Sequence, residues 1–232
     1  MSNKILVVNG TSYANAVEGL GDITFSIEDF LTNPENYKLV LFTGGEDVSP
    51  ELYGDTSPKN MCFNNPLRDE IEVAIFAVAK ENDIPMTGIC RGSQFLNVMC
   101  GGTLMHDISG HTSSHLMAAN TTNEVFNVTS THHQMCLPGK NGYVVGWSPV
   151  KLSTRYVGKA DKLVDYQKPE VEAIAYPNNK VFAVQYHPEY MNPESEGYKW
   201  FWNGVKDLLE LSAEEFTNKY CQGVDNETVA TT

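Results

Sequence analysis

Positive charge is scarce in this chain. Against 29 aspartates and glutamates stand 16 lysines and arginines, giving a net charge of −13 over 232 residues. No basic patch is available to pair with phosphates, so neither a nucleic-acid partner nor an acidic membrane surface is expected. Long apolar runs are missing too, and nothing approaches the ~20 residues that span a bilayer. Met1-Ser2-Asn3-Lys4 leads straight into Ile5-Leu6-Val7-Val8 without the form of a signal peptide. The five cysteines (Cys62, Cys90, Cys100, Cys136 and Cys221) are odd in number and lack metal-type spacing. That speaks against a disulfide framework and for a reducing, cytoplasmic compartment. The Asn-x-Thr triplets at Asn120, Asn127 and Asn226 then carry no glycosylation meaning. No repeat, linker or low-complexity stretch divides the chain, so residues 1–221 read as one domain, with a loose polar tail over 222–232.

What is present is a strand–helix rhythm. Lys4 to Val8 and Tyr37 to Phe42 read as buried strands, the second ending in Thr43-Gly44-Gly45. From Pro66 to Asn82, Leu67, Ile71, Ala74, Ile75, Val78 and Ala79 recur at helical spacing, with Pro66 preset for the first turn. Ile84 to Ile89 reads as another strand. A helix then runs from Gly92 on Phe95, Leu96, Val98 and Met99, and Gly101-Gly102 stops it. This alternation predicts an α/β fold of three layers, with a central, mostly parallel sheet and helices on both faces. The second half predicts a smaller antiparallel sheet from short runs at Glu124–Val128, Tyr143–Val145, Val171–Ala175 and Val181–Tyr186. Asn178-Asn179 supplies a turn between the last two. Ser195 to Leu211 reads as the closing helix.

Gly88-Ile89-Cys90-Arg91-Gly92 is the most telling stretch. It is a Gly-x-nucleophile-x-Gly pattern at a strand-to-helix turn, where only glycine neighbours avoid a clash. The positive end of the following helix favours a reactive thiolate there. A cysteine nucleophile needs a base and a group to orient that base. Gln185-Tyr186-His187-Pro188-Glu189 offers both, because His187 and Glu189 stand two residues apart at a strand end and share one face. His187 would take and return the proton, and Glu189 would fix its tautomer. For the oxyanion, the backbone N–H of Arg91 and the glycine turn Gly44-Gly45 are natural donors.

These residues resemble the class I glutamine amidotransferase superfamily. Gly44-Gly45-Glu46-Asp47-Val48-Ser49-Pro50 with Tyr53-Gly54, Arg68-Asp69, Gly101-Gly102-Thr103-Leu104 and Ser130-Thr131-His132-His133-Gln134 are similar, more narrowly, to its γ-glutamyl-γ-aminobutyrate hydrolase branch. The likeness runs from about Lys4 to Glu189. It implies a Cys90–His187–Glu189 triad that forms and hydrolyses a γ-glutamyl thioester. It also implies an oxyanion hole from the Gly45 and Arg91 amides, and a glutamyl site using Gly44, Gln94, Ser130 and His132. The stretch between Asp107 and Asn127 is shorter than that branch has, and Trp147 to Lys168 matches none of it, so the leaving amine stays open.

No metal or organic cofactor is expected. Adjacent His132 and His133 would point to opposite faces of an extended chain, and no third ligand has matching spacing. His106, His111 and His115 read as polar loop histidines. The expected partner is a small γ-glutamyl substrate, and the expected activity is hydrolysis of its amide. One alternative is a glutaminase subunit feeding ammonia to a separate synthetase, since the chain has no Gly-x-x-x-x-Gly-Lys-Ser/Thr loop of its own. Others are a catalytically silent binding protein on the same fold and a redox-active Cys90. A homodimer conflicts with none of these readings.

Overall fold

Ile5, Leu6, Val7 and Val8 are all buried because β1 (Lys4–Val8) has a strand on each side and helices over both faces. The structure is a computed structural model that describes residues 3–121 and 124–222. The Asn226 triplet and the expected tail beyond Gln222 lie outside the described residues. The strands after β1 are β2 (Asp22–Thr24), β3 (Tyr37–Phe42), β4 (Met86–Ile89), β5 (Thr103–Met105), β6 (Asp107–Ile108) and β7 (His115–Ala119). They continue with β8 (Val125–Val128), β9 (Met135–Leu137), β10 (Tyr143–Ser148), β11 (Tyr156–Gly158), β12 (Lys162–Leu163), β13 (Glu170–Tyr176) and β14 (Val181–Val184). The α-helices are α1 (Ile27–Thr32), α2 (Pro66–Glu81), α3 (Arg91–Met99), α4 (Glu196–Glu210) and α5 (Ala213–Tyr220).

The main sheet has the order β2-β1-β3-β4-β14-β13-β10-β7-β8. It is parallel from β2 through β14 and antiparallel from β14 through β8. Two small antiparallel sheets, β12-β11-β6 and β5-β9, stand beside it. The expected α/β architecture is therefore present. The antiparallel runs expected at Glu124–Val128, Tyr143–Val145 and Val171–Ala175 extend the main sheet itself, and the unmatched stretch from Trp147 to Lys168 builds β11 and β12.

Alternating side chains divide the core. Leu6, Val8, Val40 and Phe42 face α1, α2 and α3, whereas Ile5, Val7, Leu39 and Leu41 face α4 and α5. On the second face Phe182 of β14 lies within 5.2–6.3 Å of the rings of Trp200, Phe201, Phe216 and Tyr220. The helix expected to close the fold is followed by α5, which a Ser212–Glu215 capping box starts.

The expected apolar stripe of α2 needs correcting. Leu67 is 66% exposed and Ile71 38%, while Arg68, Asp69 and Glu72 are buried above Ile75, Phe76 and Ala79. The first two turns point charge inward because buried partners wait for it, as described below. No helix of the described residues is long and apolar enough to cross a membrane. We expect Phe182→Ala to lose roughly 3–5 kcal/mol of stability in urea unfolding, as for other buried aromatics. Leu67→Ala should stay within about 0.5 kcal/mol of wild type.

Candidate active site

β4 lies between β3 and β14, so three turns meet at the carboxyl edge of the parallel half: Thr43-Gly44-Gly45, Cys90-Arg91-Gly92 and His187-Pro188-Glu189. The first two strands deliver the glycine turn and the thiol, and the third delivers the imidazole. Cys90 caps α3 with φ 53° and ψ −112°, a left-handed backbone that side chains other than glycine adopt at a penalty. Its glycine neighbours are required. A Cβ on Gly88 would lie 2.5 Å from the Gly92 carbonyl carbon, and one on Gly92 would strike the Phe42 backbone carbonyl.

His187 is buried, and its position is set from several directions. Its backbone N–H donates to Thr129 O at 2.8 Å. Nδ1 lies 2.7 Å from Glu189 Oε1, and Nε2 lies 2.8 Å from Thr131 Oγ1. Tyr190 stacks on the ring at 5.5 Å, and Tyr13 flanks it at 6.4 Å. Burial by itself lowers the imidazole pKa, but hydrogen bonds to Cys90 and Glu189 and their negative charge outweigh it and raise the value to about 10. The buried ring is thus biased toward its charged form beside Glu189. Asn15 Nδ2 donates to Glu189 O at 2.8 Å and fixes the turn that carries the carboxylate.

The glycine turn is held by buried charge. Arg68 Nη2 donates to Thr43 O and Gly44 O, both at 3.0 Å. Because the peptide is planar and trans, the Gly45 N–H must point to the side opposite Arg68. Gly45 itself has φ 139°, and a Cβ there would collide with Arg68 Nη1. A Cβ on Gly44 would lie 3.4 Å from His187 Cε1, so the turn runs directly against the imidazole. Arg68 also pairs with Glu72 at 2.8 Å and with Glu46 at 2.8 Å. The Arg91 side chain, buried at the start of α3, pairs with Glu72 and Asp69. Burial, followed by repulsion from Arg68, lowers its guanidinium pKa to about 10.

The remaining expected binding residues have internal partners. Gln94 Nε2 donates to Gln134 O at 3.3 Å, and Ser130 Oγ donates to His111 O at 2.6 Å. The His132 ring turns inward to Glu172, while His133 faces outward to Asp47 and Asp107, so the two do point opposite ways. His106, His111 and His115 are not the polar loop side chains that their spacing suggests. All three are buried against carboxylates, His106 on Asp161 and the other two on Glu172. Those partners lie far along the chain, which is why sequence proximity hides them. Tyr13, Asn15, Thr131 and Tyr190 were also out of reach of sequence reasoning. The usable signal for Tyr13 and Asn15 is their place directly after a parallel strand, at the edge where sites collect.

Fold and site together define a class I glutamine amidotransferase-type protein. The Peptidase C26 family matches residues 26–189, and the chain belongs to that family. It is 34% identical over 179 residues to the glutamine amidotransferase-like protein YvdE of Lactococcus lactis, covering 72% of this chain and 71% of that protein. It is 31% identical over 100 residues to the γ-glutamyl-γ-aminobutyrate hydrolase of Shigella flexneri, covering 40% and 39%. A similar solved structure is a GMP synthase subunit from Thermoplasma acidophilum, with a TM-score of 0.61 at 13% identity over 90% of this chain and 95% of that one.

Two outcomes test the geometry. The His187 imidazolium should lose its proton only as pH rises through about 10. In Glu189→Gln, where a negative charge is gone, NMR should find that loss at lower pH; an unmoved midpoint would remove Glu189 from the pair. Glu72→Ala removes the carboxylate shared by two buried guanidinium groups and should lower unfolding free energy by about 3–5 kcal/mol.

Proposed function

We propose that the protein hydrolyses a γ-glutamyl amide through a γ-glutamyl thioester on Cys90. The observation that supports this reading is the strained Cys90 turn opening α3 on β4, beside the β14 turn where Glu189 holds His187 Nδ1 at 2.7 Å. The Cys90 thiolate attacks the γ-carbonyl carbon and forms a C–S bond, and the carbonyl electrons move onto oxygen. The Gly45 and Arg91 N–H groups receive that oxyanion. As it collapses, the C–N bond breaks and His187 Nε2 gives its proton to the departing amine. Water enters, His187 takes its proton, and hydroxide displaces the thiolate to release glutamate. Glu189 keeps Nδ1–H in place throughout, so that Nε2 does the proton traffic. Gly44 lets the glutamyl group approach the turn closely. Gln94, Ser130 and His132 shape the glutamyl side through the backbone they brace, since their side chains are engaged internally.

Hydrolysis by the chain alone is the reading tested first; ammonia transfer to a synthetase is the second, supported by a 28% match over 173 residues to a GMP synthase of Clostridium botulinum. The 31% match to a γ-glutamyl-γ-aminobutyrate hydrolase supports a γ-glutamyl amine as substrate. The test is glutamate release by the isolated protein from glutamine, γ-glutamyl-aminobutyrate, γ-glutamyl-putrescine and short poly-γ-glutamate. One conjugate should be cleaved robustly. Cys90→Ala should abolish turnover, His187→Asn should lower kcat by roughly 10²–10⁴-fold, and Glu189→Gln should lose less. Wild-type turnover by Cys90→Ala would refute the mechanism. Silence on every substrate, with Cys90 still labelled by a glutamine-mimicking electrophile, would indicate a glutaminase that needs its synthetase.

A further inference from the structure

Three histidines from separate segments converge on one carboxylate oxygen. His111 Nδ1, His115 Nε2 and His132 Nε2 lie 2.8, 2.9 and 3.2 Å from Glu172 Oε1. Each ring's other nitrogen also meets an oxygen. His111 Nε2 lies 3.1 Å from Glu170 Oε2, His115 Nδ1 3.1 Å from Ser113 O, and His132 Nδ1 2.8 Å from Gln134 O. All six nitrogens therefore face carboxylate or carbonyl oxygens, which only accept. A neutral imidazole has one N–H, so it leaves one lone pair aimed at an acceptor. Protonating His111 alone satisfies that ring between its two glutamates and leaves His115 and His132 in conflict. Protonating all three would crowd three cations into a buried site facing Glu170 and Glu172. The remaining oxygen, Glu172 Oε2, is buried and receives no hydrogen bond from the described residues.

A metal ion removes these conflicts at His111 and His115. We propose that His111 Nδ1, His115 Nε2 and the Glu172 carboxylate bind a divalent transition metal ion, with zinc the best match. The His111 and His115 rings would then donate their remaining N–H groups to Glu170 and the Ser113 carbonyl, the outer-shell arrangement that fixes a ligating histidine's tautomer. Neutral imidazoles plus one carboxylate form a donor set that suits zinc. Tetrahedral bonds of about 2.0–2.1 Å place neighbouring donors ~3.3 Å apart, close to the spacing found around Glu172 Oε1. The ligand atoms of His111, His115 and Glu172 all lie within 4.8 Å of one another. His111 and His115 stand four residues apart, a spacing that metal ligands use, but Glu172 comes from β13 far along the chain, so sequence spacing offers no third ligand. Three buried protein ligands hold the ion, and His132, bonded to Glu172, links it to the segment that presents Thr131 to His187.

The test uses the full chain, stripped with a chelator, and titrates Zn²⁺ against a chromophoric competitor. Co²⁺ loading is read in parallel by visible absorption. The wild type should take up about one ion per chain and melt at a higher temperature when loaded. Its Co²⁺ spectrum should show tetrahedral ligand-field bands without a thiolate charge-transfer band. His115→Asn, folded by circular dichroism, should bind on the order of 100-fold more weakly or worse, whereas Cys90→Ser should bind as wild type does. No uptake by the stripped wild type would overturn the proposal. So would binding that survives His115→Asn and disappears in Cys90→Ser. If His115→Asn fails to fold, the wild-type Co²⁺ spectrum decides, since a sulfur charge-transfer band places the ion elsewhere.

Discussion

Two buried guanidinium groups set the geometry on which the site depends. Arg68 and Arg91 share Glu72, and between them they engage Asp69 and Glu46 as well. Burying such ions is costly, and apolar side chains of similar volume can often pack as well or better. What apolar replacements cannot do is set direction. The planar fork of Arg68 reaches the Thr43 and Gly44 carbonyls while its other nitrogens hold Glu46 and Glu72. One side chain thus orients the peptide whose N–H lies opposite, and ties it to α2. Arg91 ties the start of α3 to α2 through Glu72 and Asp69. The glycine turn and the thiol turn are therefore referenced to one frame.

Strain at Cys90 is maintained by the same packing. A left-handed non-glycine residue costs about 1–3 kcal/mol, so it persists only where neighbours over-determine it. Here Gly88 and Gly92 press against each other and against Phe42, and the Cys90 N–H is bonded to Val184 O at 2.9 Å. Relaxing the turn would break contacts with both flanking strands. The site is thus an outcome of strand order: β3, β4 and β14 are neighbours, and each ends in a turn that contributes one part.

Sequence reads this architecture well where residues act through their own neighbours. The strands at Lys4–Val8 and Tyr37–Phe42 match to the residue, because continuous apolar runs have no other stable destination. The Cys90 turn is legible because glycines at those two offsets have a steric job there. Legibility fails where a polar residue depends on a distant partner. The inward face of α2 looks apolar at Leu67 and Ile71 until Arg91 is known to wait beneath Asp69 and Glu72. Glu170 and Glu172, in a strand written Glu-Val-Glu-Ala-Ile, carry no local sign of their surroundings; both are buried against histidines from other segments. Thr131 sits inside a motif that suggests substrate contact, and only the folded chain shows its hydroxyl on His187.

The segment from Thr129 to Gln134 joins the two polar centres through simple alternation. Successive residues of a near-extended chain point to opposite sides. The Thr129 carbonyl and Thr131 hydroxyl contact His187, whereas Ser130 and His132 contact His111 and Glu172. Gln134 O then accepts from both His132 Nδ1 and Gln94 Nε2, returning the chain to α3 behind the thiol. A shift of one residue would exchange the two faces and break both sets of bonds. Rigidity on the histidine side is therefore transmitted to the imidazole. Positional precision at His187 comes from its Glu189 partner and, through this strap, from buried polar contacts that never touch the reacting atoms.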